Sequence, residues 1–287
     1  MIRAQWCASC GESNVAAIPN ESLRRRYGDA IEKPLAPSNA IVEALLAHRS
    51  VRHYLQTPVP PGILETIIAA AQSAATSSNL QSWTVINVES PQRRQRFAEI
   101  AGGQQHIVEA PLFLVWVADL SRAKRQAQRH GAELAATHYL ESLLFSSIDV
   151  ALAAQNAVVA SEALGLSSVY IGALRNDIAA VAEELQLPQN SFPVFGLCVG
   201  YADPAKETEI KPRLPQAAVL HHEVYSTANE EVLVDEYSAR LQAYYRDQQL
   251  PILSWPELVL KRLQHVVTLG GRVKVAALLR KQGFSLD

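Results

Sequence analysis

His48-Arg49-Ser50-Val51-Arg52 packs two permanent cations, a titratable ring and a hydroxyl into five consecutive residues. Guanidinium groups stay charged and present a planar fork of donors that matches phosphate, while the hydroxyl and imidazole add shorter-range hydrogen bonds. The run reads as an anion clamp. A second cationic group, Lys211-Pro212-Arg213, is stiffened by its proline, which biases Lys211 toward extended backbone. Together the two groups supply enough positive charge for a dianionic phosphate. Two segments between them suit a planar ring system. Thr76-Ser77-Ser78-Asn79-Leu80-Gln81 is a polar turn after a helix, and residues 165–173 end in small residues that let a backbone N–H approach a ligand closely. Taken singly, the pentapeptide also reads as a solvated basic turn and residues 76–81 as helix capping; the combination points to a ligand.

These groups need elements to hold them. Pro34 and Pro37 close an N-terminal extension, residues 1–37, and Ser38 is placed to cap a short apolar helix over residues 41–47. Prolines at 58, 60 and 61 forbid its continuation, and a second helix is expected over residues 61–75. Strands follow at residues 83–88, 112–118, 168–171 and 192–199, with helices at 91–101, 177–187 and 230–246 and two helical segments beyond Trp255. Gly102-Gly103 ends the helix before it. Residues 123–164 are helix-prone with a break expected near Ser146-Ser147, and residues 148–164 are apolar on all faces, which predicts burial at a domain centre or a subunit interface. The order is helix-led with about four strands and lacks regular strand–helix alternation, so the fold class is α+β. Residues 38–287 are read as one domain with a helical C-terminal excursion.

Composition narrows the function. The 287-residue chain is 48% apolar with a formal net charge of -2, ample for a sizeable core and opposed to a nucleic-acid binder, which needs a concentrated basic face. Arg24-Arg25-Arg26 is read as a solvated face. No apolar run is expected to span a bilayer and no signal-peptide core precedes residue 37, so the expectation is a cytoplasmic protein without a membrane partner. Three cysteines fit a reducing compartment. Cys7 and Cys10 lack the further ligands of a zinc site, Cys198 reads as a buried small hydrophobe, and His221-His222 as a polar surface pair, so no metal is expected. G-x-G-x-x-G after a strand, the Walker A loop, G-x-S-x-G and H-E-x-x-H are all absent.

With these segments in order, the chain resembles the flavin-dependent nitroreductase family, in its larger group A branch of NADPH nitroreductases and flavin reductase P-like proteins. The matching stretches are His48-Arg49-Ser50-Val51-Arg52-His53-Tyr54, residues 76–81, Gly102-Gly103-Gln104-Gln105-His106, Ala154-Gln155-Asn156-Ala157, residues 162–176, Phe195-Gly196-Leu197-Cys198-Val199-Gly200, Lys211-Pro212-Arg213-Leu214-Pro215 and Tyr244-Tyr245. The resemblance implies a central, mostly antiparallel sheet flanked by helices and a homodimer whose subunits exchange helices, with FMN in a groove at the interface. It places His48, Ser50, Lys211 and Arg213 around the FMN phosphate and Arg52 near the N1/O2 edge of the ring; Arg49 joins the set without a role of its own. Thr76, Ser77, Ser78 and Gln81 fall at the polar rim or ribityl chain, Gln104 beside the ring, and the backbone of Tyr170, Ile171, Gly172 and Ala173 at the N5/O4 edge.

The resemblance also implies the chemistry. FMN N5 carries hydride from NADPH or NADH to a small-molecule acceptor, a nitroaromatic, a quinone or a relative, by a ping-pong cycle with no catalytic side chain. A flavin reductase supplying a partner oxygenase, and a flavin-binding protein that never uses NAD(P)H, are the other readings. Two positions depart from the group pattern. Ala173 stands where a second glycine is usual, and residues 246–254 carry one arginine, Arg246, beside Asp247, where several basic residues usually meet the nucleotide 2′-phosphate. Arg272 is the other cation expected there.

Overall fold

The computed structural model describes residues 20–28, 39–206 and 208–287. In chain order the elements are α1 (Asn20–Tyr27), α2 (Ala40–Ala47), α3 (Ile63–Gln72), β1 (Trp83–Asn87), α4 (Pro91–Ile100), α5 (His106–Glu109), β2 (Leu112–Asp119), α6 (Ser121–Arg129), α7 (Leu140–Ala163), β3 (Ser167–Ile171), α8 (Ile178–Glu184), β4 (Ser191–Gly200), α9 (Glu230–Asp247), α10 (Trp255–Leu263) and α11 (Val275–Lys281). They fall into two compact units. One takes the chain up to His48 together with Glu209–Pro256, and the other takes Arg49–Thr208 together with Glu257–Asp287. Cys7, Cys10, Ser38 and most of the N-terminal extension lie outside the described residues.

The larger unit is built on a four-stranded antiparallel sheet in the order β1-β2-β4-β3. Side chains alternate across β2, and helices cover both faces, so every second residue on either side must be apolar. Leu114, Trp116 and Ala118 join one core with Ile67 and Ala71 of α3 and Val150, Ala153, Ala154, Ala157 and Val158 of α7. Phe113, Val115 and Val117 join the other with Phe97 of α4, Ile107 of α5 and Val181 of α8. Pro193 sits in β4 without breaking it. β3 pairs with β4 only from Gly196 to Gly200, so the missing proline N–H falls beyond that ladder, and a bulge opposite Trp116 and Val117 absorbs the irregularity.

In the smaller unit, Asn39 caps α2 by accepting from the N–H groups of Ile41 and Val42. Arg26 overturns the reading of its triplet as a solvated face. It is buried, and its guanidinium donates to the carbonyls of Leu46 at 3.0 Å and His48 at 2.7 Å, groups left open where α2 ends.

Two further expectations change. α7 runs unbroken for 24 residues through Ser146-Ser147, because the Ser146 hydroxyl donates back to the Ser142 carbonyl at 2.7 Å and needs no other partner. By length and composition α7 is also the one described helix apolar enough to cross a membrane, contrary to expectation. Its buried residues instead pack on the sheet.

One tight point of the sheet is Gly196, where an added Cβ would lie 2.7 Å from Phe113 Cε2 and 3.2 Å from Leu174 Cδ1. Phe113 and Leu174 are fully enclosed. Gly196→Ala is expected to lower stability by about 1–3 kcal/mol in urea melts, the usual range for overpacking a dense core.

Candidate functional site

The segment carrying Arg49 to Tyr54 is pinned to the sheet. Val51 N–H donates to the Ser168 carbonyl at 3.0 Å, and Ser50 and Ser168 form a parallel bridge against β3. The buried Tyr54 hydroxyl donates to the Val51 carbonyl at 2.7 Å, with the Cys198 carbonyl at 3.3 Å. Burial raises the Tyr54 phenol well above its usual range, so it remains a donor. Cys198 is buried as expected, with its thiol pushed up by burial. Ser50, Arg49 and Arg52 face outward, and neither arginine makes a hydrogen bond or ion pair among the described residues.

Arg52 and His53 act on a half-buried ring nearby. His106, at the start of α5, is pushed down to about 4 by burial first, then by Arg52 and His53. Its Nε2 is buried with no partner. The turn leading to it needs Gly102 and Gly103, both at positive φ (80° and 84°), and it presents Gln104, whose amide donates to the Ala101 carbonyl at 3.0 Å. β3 brings Tyr170 and Ile171 to the same edge. Tyr170 is partly exposed and meets Phe195 edge-on at 4.9 Å, Ile171 is buried, and Gly172 and Ala173 follow the strand.

The structure thus attaches the Arg49–Arg52 segment to β3 at Ser168, near the start of the strand. It also gathers His48, Lys211 and Arg213 within the smaller unit. Arg26 donates to the His48 carbonyl at 2.7 Å and to the Lys211 carbonyl at 3.4 Å, and its own carbonyl accepts from Arg213 N–H at 2.9 Å. Lys211 Nζ lies 5.6 Å from the centre of the Tyr245 ring and 5.9 Å from that of Tyr244.

Thr76, Ser77, Ser78 and Gln81 lie elsewhere. Their loop leads into β1, at the opposite edge of the sheet from β3. Three strand spacings separate these edges, roughly 14 Å. Ser78, Asn79 and Gln81 all have positive φ (48°, 57° and 50°), a conformation that costs a non-glycine residue about 1–2 kcal/mol each. The loop is held from below by Asp149, a residue that the sequence reading missed: its carboxylate accepts from Thr76 Oγ1 at 2.8 Å, Ser77 N–H at 2.9 Å and Ser82 Oγ at 3.1 Å. Ser78 and Gln81 are exposed.

Of the two cations expected for a nucleotide phosphate, Arg246 is exposed at the end of α9 in the smaller unit, whereas Arg272 belongs to the larger. Arg272 Nε donates to Asn176 Oδ1 at 3.0 Å. Burial and the fields of Arg272 and Arg262 lower the Arg175 guanidinium, so three arginines share this side of the larger unit just beyond Gly172. Arg175 could have been found inside the motif at residues 162–176; Arg262 carried no signal.

Residues 45–201 match the model of the nitroreductase family, and residues 211–287 that of its C-terminal domain. The chain belongs to the nitroreductase family. This nitroreductase is 41% identical over 213 residues to an FMN reductase [NAD(P)H] of Bacillus subtilis, a match covering 74% of the chain and 82% of that relative. It is 40% identical over 204 residues to an oxygen-insensitive NADPH nitroreductase of Salmonella typhimurium, covering 71% and 82%. Among solved structures, NfrA2 of B. megaterium superposes with a TM-score of 0.82 at 37% identity, covering 87% of this nitroreductase and all of that chain. Relatives so named place it in the group A branch, and its antiparallel sheet flanked by helices is the expected fold.

The depressed His106 makes two outcomes measurable. Because the ring resists protonation when folded, stability is complete above the unfolded value near 6.5 and drains away as pH falls toward 4. Solvent screens the half-buried ring, so wild type should lose of order 1 kcal/mol more than His106→Gln between pH 7 and 4.5 in urea melts. Removing one cation in Arg52→Ala should raise the His106 value, read by NMR titration, yet leave it below 6.5 because burial persists.

Proposed function

We propose that this chain is an FMN-dependent NAD(P)H oxidoreductase that reduces nitroaromatics, quinones or related small acceptors by ping-pong hydride transfer. The observation that carries it is the pair of outward-facing guanidiniums, Arg49 and Arg52, fixed to β3 by Val51 and lacking any anionic partner among the described residues. Unpaired cations beside a backbone edge that ends in Gly172-Ala173 fit a flat, anionic cofactor. The orphaned His106 Nε2 adds a polar atom without a protein partner.

When bound, FMN supplies a ring that takes hydride from a nicotinamide and yields it to an acceptor. The chain's own contribution is positioning and charge. Arg52 would set a permanent cation at the N1/O2 edge of the ring, favouring negative charge there. Gly172 and Ala173 would offer backbone to the N5/O4 edge, Gln104 would stand beside the ring, and His48, Ser50, Lys211 and Arg213 would hold the phosphate, as the motifs that they match imply. Arg272, with Arg175 and Arg262, is the cationic group proposed for a nucleotide phosphate, and the single Arg246 after Tyr245 adds little to it. The FMN reductase name of a relative supports a second reading, in which reduced flavin leaves for a partner oxygenase.

The placement of the two candidate groups at opposite sheet edges supports a homodimer. Leu140, Leu144, Ile148 and Leu152 recur every fourth residue along α7 and are 44%, 49%, 57% and 43% exposed, an apolar stripe that a second copy would cover. In that assembly the Thr76–Gln81 loop of one copy serves the Arg49–Arg52 segment of the other. Residues 38–287 act as one functional unit in this reading, in the cytoplasm.

The purified protein is expected to be yellow or to take up added FMN, and to bleach anaerobically with NADPH or NADH. Arg52→Ala and Lys211→Ala should each weaken FMN retention about tenfold or more, the loss of one charge-assisted contact being worth roughly 1.5–3 kcal/mol. Failure to bind FMN sinks the reading; binding without bleaching by either nucleotide moves the protein to the class that does not use them. Leu144→Arg combined with Ile148→Glu should convert a dimer to a monomer in light-scattering chromatography and release FMN.

A further inference from the structure

Asp149 is 2% exposed and is the only charged residue of α7 between Glu141 and Glu162. A carboxylate in such a place is costly unless its oxygens are satisfied, and here no cation does so among the described residues. Three donors meet it instead. All three come from the segment around the strained loop: the Thr76 hydroxyl, Ser77 N–H and the Ser82 hydroxyl. Because the Thr76 proton points at Asp149, a lone pair of the same oxygen is free to accept Gln81 N–H at 3.1 Å. The carboxylate therefore reaches Gln81 through Thr76. The other tether is Arg122, which donates to the Gln81 carbonyl at 3.1 Å.

We infer that Asp149 is a positioning residue for flavin binding, its carboxylate holding the Thr76–Gln81 loop in the conformation that presents Ser78 and Gln81 to the cofactor. The inference rests on the FMN reading above. An all-acceptor group is required, since three donors converge on two oxygens. An amide would turn its NH2 either toward Ser77 N–H or toward the Thr76 and Ser82 hydroxyls, so the three bonds to the loop could not all persist. Ser146, three residues earlier on the same helix and equally buried, bonds only within α7 and offers a control for purely structural loss.

The test uses the full-length chain, with FMN affinity from quenching of flavin fluorescence, visible circular dichroism of the bound flavin, and urea melts without flavin. Asp149→Asn is expected to raise the FMN dissociation constant at least tenfold and to change the visible dichroism. Thr76→Val should move both readouts in the same direction, and Thr76→Ser should recover most of the affinity that valine loses. Ser146→Ala should lower stability while leaving affinity and dichroism as in wild type. Wild-type affinity and dichroism in both Asp149→Asn and Thr76→Val would overturn the inference while leaving the cofactor reading intact. If Asp149→Asn does not fold, the valine and serine variants at Thr76 decide. Failure of wild type itself to bind FMN would remove the cofactor reading and this inference with it.

Discussion

The central pair of the sheet, β2 against β4, constrains the rest of the larger unit. Both faces of β2 are covered, so its eight residues are almost wholly apolar and leave no room for chemistry. Polar function is pushed to the two edges. At one edge β3 delivers Tyr170 to Ala173 and receives the Arg49 to Arg52 segment; at the other, β1 receives the loop held by Asp149. The antiparallel ladders fix which edge each group takes.

Charge follows the same division. The net charge of the chain is small, yet Arg49 and Arg52 stand without carboxylates, and the fields of Arg272 and Arg262 add to burial in lowering Arg175. Like charges gathered without counter-ions weaken a fold unless an anion joins them. Arg26 is different in kind. Its guanidinium is used up on backbone carbonyls, and it serves to bind the His48 and Lys211 stretches into one unit.

Periodicity and turn residues made the scaffold legible: the four strands and the main helices fall within a few residues of expectation because apolar spacing, glycine and proline act locally. The motif residues were legible as a set, since their types match an anion and a flat ring. Three features were not. Ser146-Ser147 looked like a break because serine usually seeks partners outside a helix, and here the helix itself supplies one. Arg26 looked solvated because nothing in three consecutive arginines tells which one finds carbonyl groups. Which edge of the sheet receives the Thr76–Gln81 loop depends on strand order, a long-range property. Asp149 did leave a trace, a single acid in an otherwise uncharged helical stretch, and its meaning lay in residues about 70 positions away.

The bulge and Pro193 bear on a property unrelated to flavin. Where β3 stops pairing, the outer side of β4 has no strand partner, the situation in which stray strands nucleate and proteins aggregate, and there Ser191 to Pro193 are buried. Here proline supplies no donor, the bulge disturbs the register, and the Arg175 guanidinium occupies the Val194 carbonyl. An incoming strand would find no donor at Pro193 and the Val194 carbonyl already taken. The irregularity in β4 thereby guards the molecule's solubility at the point where its sheet is incomplete.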